Sequence, residues 1–335
     1  MRLRNLLAAA TVALAVTGCG TSTGSGGDPV PAPVSPAELA KVTLKVGDQK
    51  GGVKSLLTAA GLLKDVPYQI EWSTFTSGPP LLEAASAGAI DLGRVGNTPP
   101  IFAAAANAKI AVISPAKAPV ADDAILVPAD SPLKQVSELR GKTIGVAKGS
   151  SAHGQILYTL RANGLSTKDV KLSFLQPSEA YAAFNQHQID AWAVWDPYTA
   201  QAQLESRARV LADGRDTTNG YVFQVASKAA LADAGRNSAI RDYVTRVAHA
   251  QRWAETHRAE WARVWAAETG LKPEVAQAAT QRGVELPVPF DDQVVKSEQE
   301  LADAFGEDKT LPGKVDFAKF VDRRFVPDLD AARSN

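Results

Sequence analysis

Short apolar runs alternate with longer amphipathic segments from about residue 41 onward. The runs are rich in Val, Ile and Leu, which is typical of β-strands, and the segments between them have helical spacing of apolar positions. The predicted strands cover residues 42–46, 68–72, 91–95, 110–114, 124–127, 143–147, 171–175, 191–194, 209–211 and 221–225. The predicted helices cover residues 53–63, 79–87, 99–108, 152–163 and 178–186, and a further helix begins at Asp196. This alternation predicts an α/β fold with mostly parallel sheets.

The rest of the chain departs from this alternation in two places. Polar and turn-forming residues interrupt it at residues 128–142, and from about residue 227 the pattern is mostly helical. Within residues 243–269, Trp261 and Trp265 fall at helical spacing with other apolar positions. This spacing indicates a stripe packed on the core, and an aromatic ligand box is the alternative.

Four predicted strands end in small polar residues that open a helix. These junctions are residues 48–52, 76–80, 96–100 and 149–153. A helix N-terminus presents free backbone N–H groups and roughly half a positive charge, so it attracts anions without Arg or Lys. Because ligands of open α/β sheets bind at the carboxyl ends of the strands, the junctions predict a site for a small anion.

Composition and charge narrow the class of partner. The chain has 335 residues, of which 45% are hydrophobic, and its 36 basic residues balance its 36 acidic ones. This length suits about two domains. No basic block is typical of a nucleic-acid surface, so we expect no nucleic acid partner and only local recognition of an anion.

The first 37 residues have the composition of a targeting segment followed by a linker. A basic start precedes the apolar residues 6–16, which are too few to span a bilayer. Residues 16–19 resemble the bacterial lipobox, and Cys19 is the single cysteine of the chain. We expect residues 1–18 to be a signal peptide, Cys19 to carry lipid, and residues 19–37 to be a flexible tether. The protein would then be exported and held on the outer face of the cell membrane by lipid alone.

Six collinear segments carry a family resemblance. They are residues 49–51, 75–79, 90–93, 97–102, 148–153 and, most specifically, the run Asp-Ala-Trp-Ala-Val-Trp-Asp-Pro-Tyr at 190–198. The chain resembles the type 2 periplasmic-binding-protein-like components of ABC importers in the aliphatic sulfonate, taurine and nitrate group. It is most similar to the aliphatic sulfonate-binding proteins, over residues 41 to about 225.

The resemblance implies two lobes that close on a ligand by a hinge motion. Lobe 1 would comprise residues 38–129 and 226–335, and lobe 2 would comprise residues 130–225. It also implies an ABC permease with its ATPase subunit as partners, and we expect a monomer. The sulfonate-binding group often has an acidic residue where this chain has Asn97, so the preferred headgroup can differ.

A sulfonate has three acceptor oxygens and stays anionic, so its site needs several hydrogen-bond donors. Backbone N–H groups near Gly78, Thr98 and Ser151 and the neighbouring hydroxyls are the expected donors. The candidate ligand-binding residues are Gln49, Ser77, Gly78, Asn97, Thr98, Ser150, Ser151, His153, Trp195, Asp196 and Tyr221.

Several of these candidates have a competing structural role. Trp192 and Trp195 would point to opposite faces of a strand, so we expect Trp195 to form an apolar wall, with two core tryptophans as the alternative. Asp196 is most simply a helix cap, and Gln49 can instead bond at its helix start. His153 is most simply a residue of the helix turn with a structural hydrogen bond, and a ligand contact is the alternative. Lys50 and Lys148 can steer anions or simply be solvated.

The predicted function is capture of a small organic anion, most simply an aliphatic sulfonate, for delivery to a membrane permease. Taurine, nitrate, bicarbonate, an aromatic sulfonate or a pyrimidine vitamin precursor are alternative ligands. An enzyme on the same fold is a further alternative, although the sequence offers no nucleophile with a base and no phosphate loop. His187, His249 and His257 lack metal-ligand spacing, so we expect no metal, no cofactor and no enzyme activity.

Overall fold

The computed structural model describes residues 29–311 and 313–334. The predicted signal peptide, Cys19 and most of the predicted tether lie outside the described residues. The strands are β1 Thr43–Gln49, β2 Gln69–Phe75, β3 Leu92–Gly96, β4 Ile110–Lys117, β5 Ala124–Val127, β6 Thr143–Val146, β7 Lys171–Phe174, β8 Ala191–Val194, β9 Arg209–Asp213, β10 Tyr221–Ser227 and β11 Leu286–Pro287. The α-helices are α1 Pro36–Leu39, α2 Gly52–Ala59, α3 Gly78–Ser86, α4 Thr98–Ala105, α5 Ser151–Ala162, α6 Pro177–Asn185, α7 Tyr198–Glu205, α8 Lys228–Ala232, α9 Ala234–Thr256, α10 Arg258–Thr269, α11 Pro273–Arg282, α12 Asp292–Glu307 and α13 Val326–Ser334.

The first sheet has the strand order β11-β4-β10-β3-β1-β2. β1 pairs in parallel with β2 and β3, whereas β10 runs antiparallel between β3 and β4. Leu44 and Val46 alternate along β1 and are fully buried against α2 and α9. Helices α3, α4 and α12 pack on the opposite face. This sheet and its helices form the first lobe.

The second sheet has the strand order β7-β6-β8-β5-β9. β6 pairs in parallel with β7 and β8, and β5 runs antiparallel between β8 and β9. Helix α5 packs on one face of this sheet, and α6 and α7 pack on the other. This sheet and its helices form the second lobe.

The predicted two-lobed α/β class is confirmed, with two corrections. Both sheets are mixed, since each combines two parallel pairs with antiparallel ones. The sequence prediction ends lobe 1 at residue 129 and lobe 2 at residue 225, but β5 pairs inside the second sheet and β10 inside the first. The chain therefore crosses between the lobes earlier on both passes, at residues 118–123 and 214–220.

The two crossing segments lie side by side and form the hinge. The Gly214 N–H donates to the Asp123 carbonyl at 3.0 Å, and the Ala118 N–H donates to the Gly220 carbonyl at 2.8 Å. A Cβ atom on Gly214 would lie 2.2 Å from the Val120 carbonyl oxygen, which is closer than atoms can approach. The hinge therefore requires glycine at position 214.

Replacement of this hinge glycine should destabilise the protein. We expect Gly214→Ala to lower the Tm by several degrees, since overpacking typically costs about 1–3 kcal/mol. Gly306→Ala is the matched control, because a Cβ atom there meets nothing within 4 Å and lies inside α12. This control should keep or slightly raise the Tm. Equal thermal melting of both variants by circular dichroism would contradict the hinge contact.

The predicted helical stripe at residues 243–269 is divided between α9 and α10, which meet at His257. Trp261 and Trp265 stack with their ring centroids 5.3 Å apart and belong to the core of the first lobe. The Trp261 Nε1–H donates to Ser55 Oγ at 3.1 Å. The core interpretation of the stripe therefore holds for these two rings, although both also border the cleft described below.

The end of the predicted tether is in contact with the first lobe. The Val34 N–H donates to Ser238 Oγ at 3.2 Å, and Ser35 caps α1 in a reciprocal pair of bonds with Glu38. The tether prediction of residues 19–37 thus extends a few residues too far. In the described part of the chain, none of the helices combines the length and apolar character needed to cross a membrane.

Candidate functional site

A cleft between the lobes contains a cavity with two connected ends. The polar end is lined by Gly78, Gly96, Asn97, Pro99, Ser150, Ser151, Asp123 and the hinge residues Thr218 and Tyr221. The aromatic end is lined by Lys50, Asp196, Tyr198, Trp261, Trp265, Thr280 and Glu285. Both ends share Gln49, Arg94, Asp122 and Trp195. One end therefore offers hydrogen bonds and the other offers apolar surface.

The start of α2 is not available to a ligand, because Asp48 fills it. The carboxylate accepts from the N–H groups of Gln49, Val53 and Lys54 at 2.8, 3.2 and 3.0 Å. Gln49 extends to the neighbouring strand, where its Nε2–H donates to the Arg94 carbonyl at 2.9 Å. The first predicted junction thus contributes the Gln49 side chain to the cleft and no anion site.

Prolines reduce the donors at the starts of α3 and α4. Residues 79–80 and 99–100 are prolines, which have no backbone N–H. The N–H groups of Gly78 and Thr98 are therefore the donors that remain in the first turns of these helices. A Cβ atom on Gly78 would lie 2.6 Å from the Pro99 ring, so glycine lets the two helix starts meet. The Gly78 backbone lines the polar end.

The hydroxyls predicted as donors at these two helix starts lie outside the cavity, which corrects the assignment of Ser77 and Thr98. Both residues are fully buried. Ser77 Oγ donates to Gln176 Oε1 of the second lobe at 2.9 Å, and Thr98 Oγ1 donates to Asn97 Oδ1 at 3.0 Å. Their hydrogen bonds therefore hold the protein together and leave only backbone donors for a ligand.

The start of α5 is the junction with the most free donors. No proline occupies its first turn, and the N–H groups of Ser151 and Ala152 have no partner among the described residues. Ser150 Oγ donates to the Ala147 carbonyl at 2.7 Å, and Ser151 Oγ donates to Asp123 Oδ1 at 2.9 Å. The predicted contribution of this junction therefore rests on its backbone N–H groups and not on its hydroxyl protons.

Arg94 is the cation shared by both ends of the cavity. It lies in β3 and forms an ion pair with Glu285 through its Nη2 atom. Its buried Nε–H has no hydrogen-bond partner within the described residues. An unpaired buried donor is costly, so a ligand acceptor that reached this group would stabilise it.

Two adjacent carboxylates of the hinge face the same cavity. Asp122 lines both ends, and Asp123 lines the polar end with only 6% of its surface exposed. Burial raises the pKa of Asp122 well above its usual range, and the neighbouring Asp123 and Asp196 raise it further. Burial also raises the pKa of Asp123 to about 7, although the hydrogen bond from Ser151 opposes the shift.

The raised pKa of Asp123 predicts a stability that falls with pH. The unfolded carboxyl ionises near pH 4 and the folded one near pH 7, so the folded state loses stability across that interval. Asp123→Asn keeps the acceptor for Ser151 and removes the charge. We expect it to raise the Tm by several degrees at about pH 8 and little at about pH 4. The exposed control Asp216→Asn should show no such pH-dependent gain in calorimetric melts, and an equal gain in both variants would refute the prediction.

Trp195 and Tyr198 form the second-lobe wall of the aromatic end. Their rings meet edge to face with centroids 6.2 Å apart, and Lys50 Nζ lies 5.1 Å from the Tyr198 ring centroid. Trp192 is 1% exposed and packs against Tyr198 and Phe184 in the core. The two tryptophans therefore separate as expected, with Trp195 at the cleft and Trp192 in the interior.

Asp196 both caps a helix and joins the lobes. Its Oδ1 accepts from the Ala200 N–H at 2.9 Å, and its Oδ2 accepts from Arg282 Nε of the first lobe at 2.7 Å. The peptide bond to Pro197 is cis, and α7 begins at Tyr198, later than predicted. This ion pair and the hydrogen bonds of Thr76 and Ser77 to Gln176 connect the two lobes.

Asn97 belongs to a buried network that reaches the hinge. Its Nδ2–H donates to Asn219 Oδ1 at 2.8 Å, and Asn219 Nδ2–H donates to Glu298 Oε1 at 2.8 Å. Glu298 is fully buried, and burial raises its pKa well above the usual range. Tyr221 borders the same end and stacks on Phe223 at 6.1 Å between centroids. Asn97 thus lines the cavity with an amide whose donor already has a partner.

His153 does not line the cavity, which corrects its assignment as a ligand contact. Its Nδ1 accepts from the Gly149 N–H at 3.1 Å, and its ring packs between Phe102 and Phe305. Burial lowers its pKa to about 4, so the ring is neutral. Lys148 likewise lies over Phe174, away from the cleft. Among the described residues, no group of three acidic, His or Cys side chains could hold a metal ion.

The sequence reasoning missed the charged residues at the centre of the cleft. Arg94, Asp122 and Asp123 line it, as does Glu285 at the aromatic end. Arg94 had a signal in the sequence, since it is a charged residue between the apolar positions Leu92 and Val95 of a predicted strand. Asp122 and Asp123 had no such signal in the sequence. The chain was predicted to cross between the lobes after β5, whereas these two residues lie before it.

Comparisons with known proteins agree on one family. A family model described as the NMT1-like family matches residues 56–269. A protein of Escherichia coli strain K12 named for binding aliphatic sulfonates is 35% identical over 290 residues, which cover 85% of this chain and 90% of that protein. The alkanesulfonate-binding protein SsuA from Xanthomonas axonopodis pv. citri, solved with MOPS bound, is 34% identical with a TM-score of 0.78, covering 84% of this chain and 98% of that one. The desulfurization enzyme DSZB, at 18% identity and a TM-score of 0.63 over 87% of this chain and 99% of that one, shares the fold alone.

Proposed function

Because this chain belongs to the NMT1-like family, we propose that it is the substrate-binding component of an ABC importer that captures an aliphatic sulfonate between its lobes. The observation that carries the proposal is the two-ended cleft, with free amide donors at one end, aromatic rings at the other and Arg94 shared by both. An aliphatic sulfonate is divided in the same way, because its headgroup has three acceptor oxygens and its tail is apolar. The family similarity of the E. coli protein supports the same ligand class.

The sulfonate headgroup occupies the polar end in this proposal. It accepts from the N–H groups of Gly78 and Ser151 and from the guanidinium of Arg94, three residues that line this end. Each hydrogen bond to a charged group contributes about 1.5–3 kcal/mol. A micromolar Kd corresponds to a binding free energy of ~8 kcal/mol. Three or four such hydrogen bonds supply this free energy after part of it offsets the entropy lost on association.

The organic part extends toward the aromatic end. Trp195 lines both ends and forms the wall along which an alkyl chain passes, with Trp265 and Tyr198 beyond it. Apolar burial contributes about 25 cal/mol per Å², so a longer chain gains affinity until this end is filled. A bare inorganic anion such as nitrate or bicarbonate gains nothing from it, which favours an organic ligand.

The ligand bridges the lobes and favours the closed form. Gly78 and Arg94 belong to the first lobe, whereas Ser151 and Trp195 belong to the second. The permease would recognise the closed, ligand-bound protein. The ATPase subunit of the permease would drive transport. We place the protein outside the cytoplasm as a monomer, and the lipobox-like Cys19 supports a lipid anchor.

An enzyme on this fold is the second candidate, since DSZB has the same fold. The cleft contains no nucleophilic Ser or Cys beside a His in the described ranges, because His153 lies outside it and is bonded to Gly149. Binding without turnover is therefore the better-supported activity.

Calorimetric titration tests this proposal. The protein should bind alkanesulfonates with micromolar affinity and should bind sulfate and nitrate at least tenfold more weakly. The ligand should be recovered unchanged by mass spectrometry. Absence of binding to every sulfonate, or conversion of the ligand, would overturn the proposed function.

A further inference from the structure

Two carboxyl groups of the hinge border the end of the cleft where the anionic headgroup binds in the proposed function. Asp123 lines the polar end, and Asp122 lines both ends. A sulfonate stays anionic at any ordinary pH, so it cannot lose its own charge on binding. An ionised carboxylate beside it repels it. The polar end therefore suits a sulfonate only when the neighbouring carboxyl groups are neutral.

Asp123 and the headgroup share one neighbouring residue, Ser151. The Oδ1 atom of Asp123 accepts from Ser151 Oγ at 2.9 Å, and the backbone N–H of Ser151 is a donor to the headgroup in the proposed function. The carboxyl group of Asp123 is thus next to the place of the negative charge. Because its Oδ1 atom accepts from the serine hydroxyl, its Oδ2 atom is the one that can carry a proton.

The backbone on either side of this carboxyl group is fixed by hydrogen bonds. The Asp123 carbonyl accepts from the Gly214 N–H at 3.0 Å and from Gln155 Nε2 at 3.1 Å. The Asp122 carbonyl accepts from Thr199 Oγ1 at 2.9 Å. Only 6% of Asp123 is exposed, so its side chain is also enclosed. Protonation, and not a movement into solvent, is therefore the way in which Asp123 loses its charge.

The charged groups around Asp123 do not neutralise it. They are Arg94 of β3 and the two acids Asp122 and Asp196. Arg94 is the one cation among these three, and it is already paired with Glu285. Burial raises the pKa of Asp123 to about 7. The carboxyl group therefore changes its charge near neutral pH, where a bound anion next to it decides the outcome.

Resting on the proposed function, we propose that Asp123 binds the sulfonate as a neutral carboxylic acid, so that one proton is taken up from solvent with each ligand. The Oδ2–H group donates to a sulfonate oxygen while Oδ1 continues to accept from Ser151. The proton returns to solvent when the ligand leaves. Asp123 is then a headgroup donor that works only in its protonated form.

This coupling sets the direction of the pH dependence. The bound anion raises the pKa of Asp123 further, because it favours the neutral carboxyl group. The affinity is therefore complete at a pH below the pKa of the free protein, which is about 7, and falls as the pH rises through that value. Between about pH 6 and about pH 8 the Kd should rise about tenfold, since one proton is linked to binding.

Calorimetric titration with 1-butanesulfonate tests the proton uptake, because this headgroup does not titrate in the range used. The titration is done at about pH 6 and about pH 8, each in two buffers with different ionisation enthalpies, whose difference in heat counts the protons. The chains are the wild type, Asp123→Asn and Asp216→Asn. Asparagine keeps the Oδ1 acceptor and offers an N–H donor that does not titrate. Asp216 lies in the other crossing segment of the hinge, but it is exposed and outside the cleft.

The wild type and Asp216→Asn should take up about one proton at about pH 8 and should show the tenfold loss of affinity. Asp123→Asn should take up no proton, should have a Kd that does not change with pH, and should bind more tightly than the wild type at about pH 8. The Tm of each chain at both pH values is the control for folding, and the proton count of the wild type decides the proposal without any variant.

Binding by the wild type at about pH 8 without proton uptake overturns the role of Asp123 while the proposed function stands. Proton uptake that persists in Asp123→Asn overturns it as well, because another group then takes up the proton. A folded wild type that binds no sulfonate at about pH 6 overturns the proposed function itself.

Discussion

Replacement of Arg94 by methionine should weaken sulfonate binding about a hundredfold or more. Arg94 lies in β3, lines both ends of the cavity and carries a buried Nε–H without a partner among the described residues. Methionine keeps the length of the side chain and removes the charge and the donors. Loss of a buried, charge-assisted contact costs about 2–5 kcal/mol, so we expect the Kd to rise about a hundredfold or more in calorimetric titration.

Arg246→Met is the matched control for this variant. Arg246 has the same 20% side-chain exposure as Arg94 and is also paired with a carboxylate, Asp242 at 2.6 Å, but it lies away from the cleft. It should lower stability without changing affinity. If Arg94→Met remains folded and binds sulfonates as tightly as Arg246→Met, Arg94 does not contact the ligand.

Proline at the start of α5 should weaken binding far more than alanine does. Proline is favoured at the first helical position, where Ser151 stands, and it removes the N–H that we assign to the ligand. We expect Ser151→Pro to raise the Kd about tenfold or more. Ser151→Ala keeps the N–H and removes only the hydroxyl that is bonded to Asp123, so its effect should stay within about threefold.

The same pair of variants tests closure of the lobes. Small-angle scattering at saturating ligand should show incomplete closure for Ser151→Pro and full closure for Ser151→Ala. If alanine weakens binding as much as proline does, the hydroxyl and not the backbone carries the contact. The Tm of both variants serves as the control for folding.

The sequence was sufficient to predict the elements whose signal is local. The strand ends at Gly78 and Ser151 carry their own turn residues, and both line the cleft where the parallel strands end. The expected separation of Trp192 and Trp195 agrees with the structure, in which Trp195 lines the cavity just after β8 and Trp192 is buried. The family resemblance inferred from the run at residues 190–198 is confirmed by the family match.

The sequence could not show which polar groups are already used within the protein. The Asp48 carboxylate accepts the hydrogen bonds at the first helix start. The Ser77 hydroxyl donates to Gln176, which is 99 residues away in the chain. His153 is oriented by aromatic rings from the other lobe. These bonds depend on long-range packing, which has no local pattern.

The predicted position of the hinge was the error with the largest consequence, because it left Asp122 and Asp123 out of the predicted site. Strand β5 is a short apolar run, and its sequence does not say which sheet it joins. It pairs with β8 and β9, which moves the crossing to residues 118–123 and places Asp122 and Asp123 at the cleft. The charge balance of the site follows from this pairing and not from any motif.

The most direct test of the account is a crystal structure of the protein with a bound aliphatic sulfonate, its sulfur atom located by anomalous scattering. The account predicts the sulfur in the polar end, with the sulfonate oxygens accepting hydrogen bonds from the Ser151 N–H of the second lobe and from Arg94 of the first. A sulfonate group seated among the aromatic rings, or bound to one lobe alone, would contradict it.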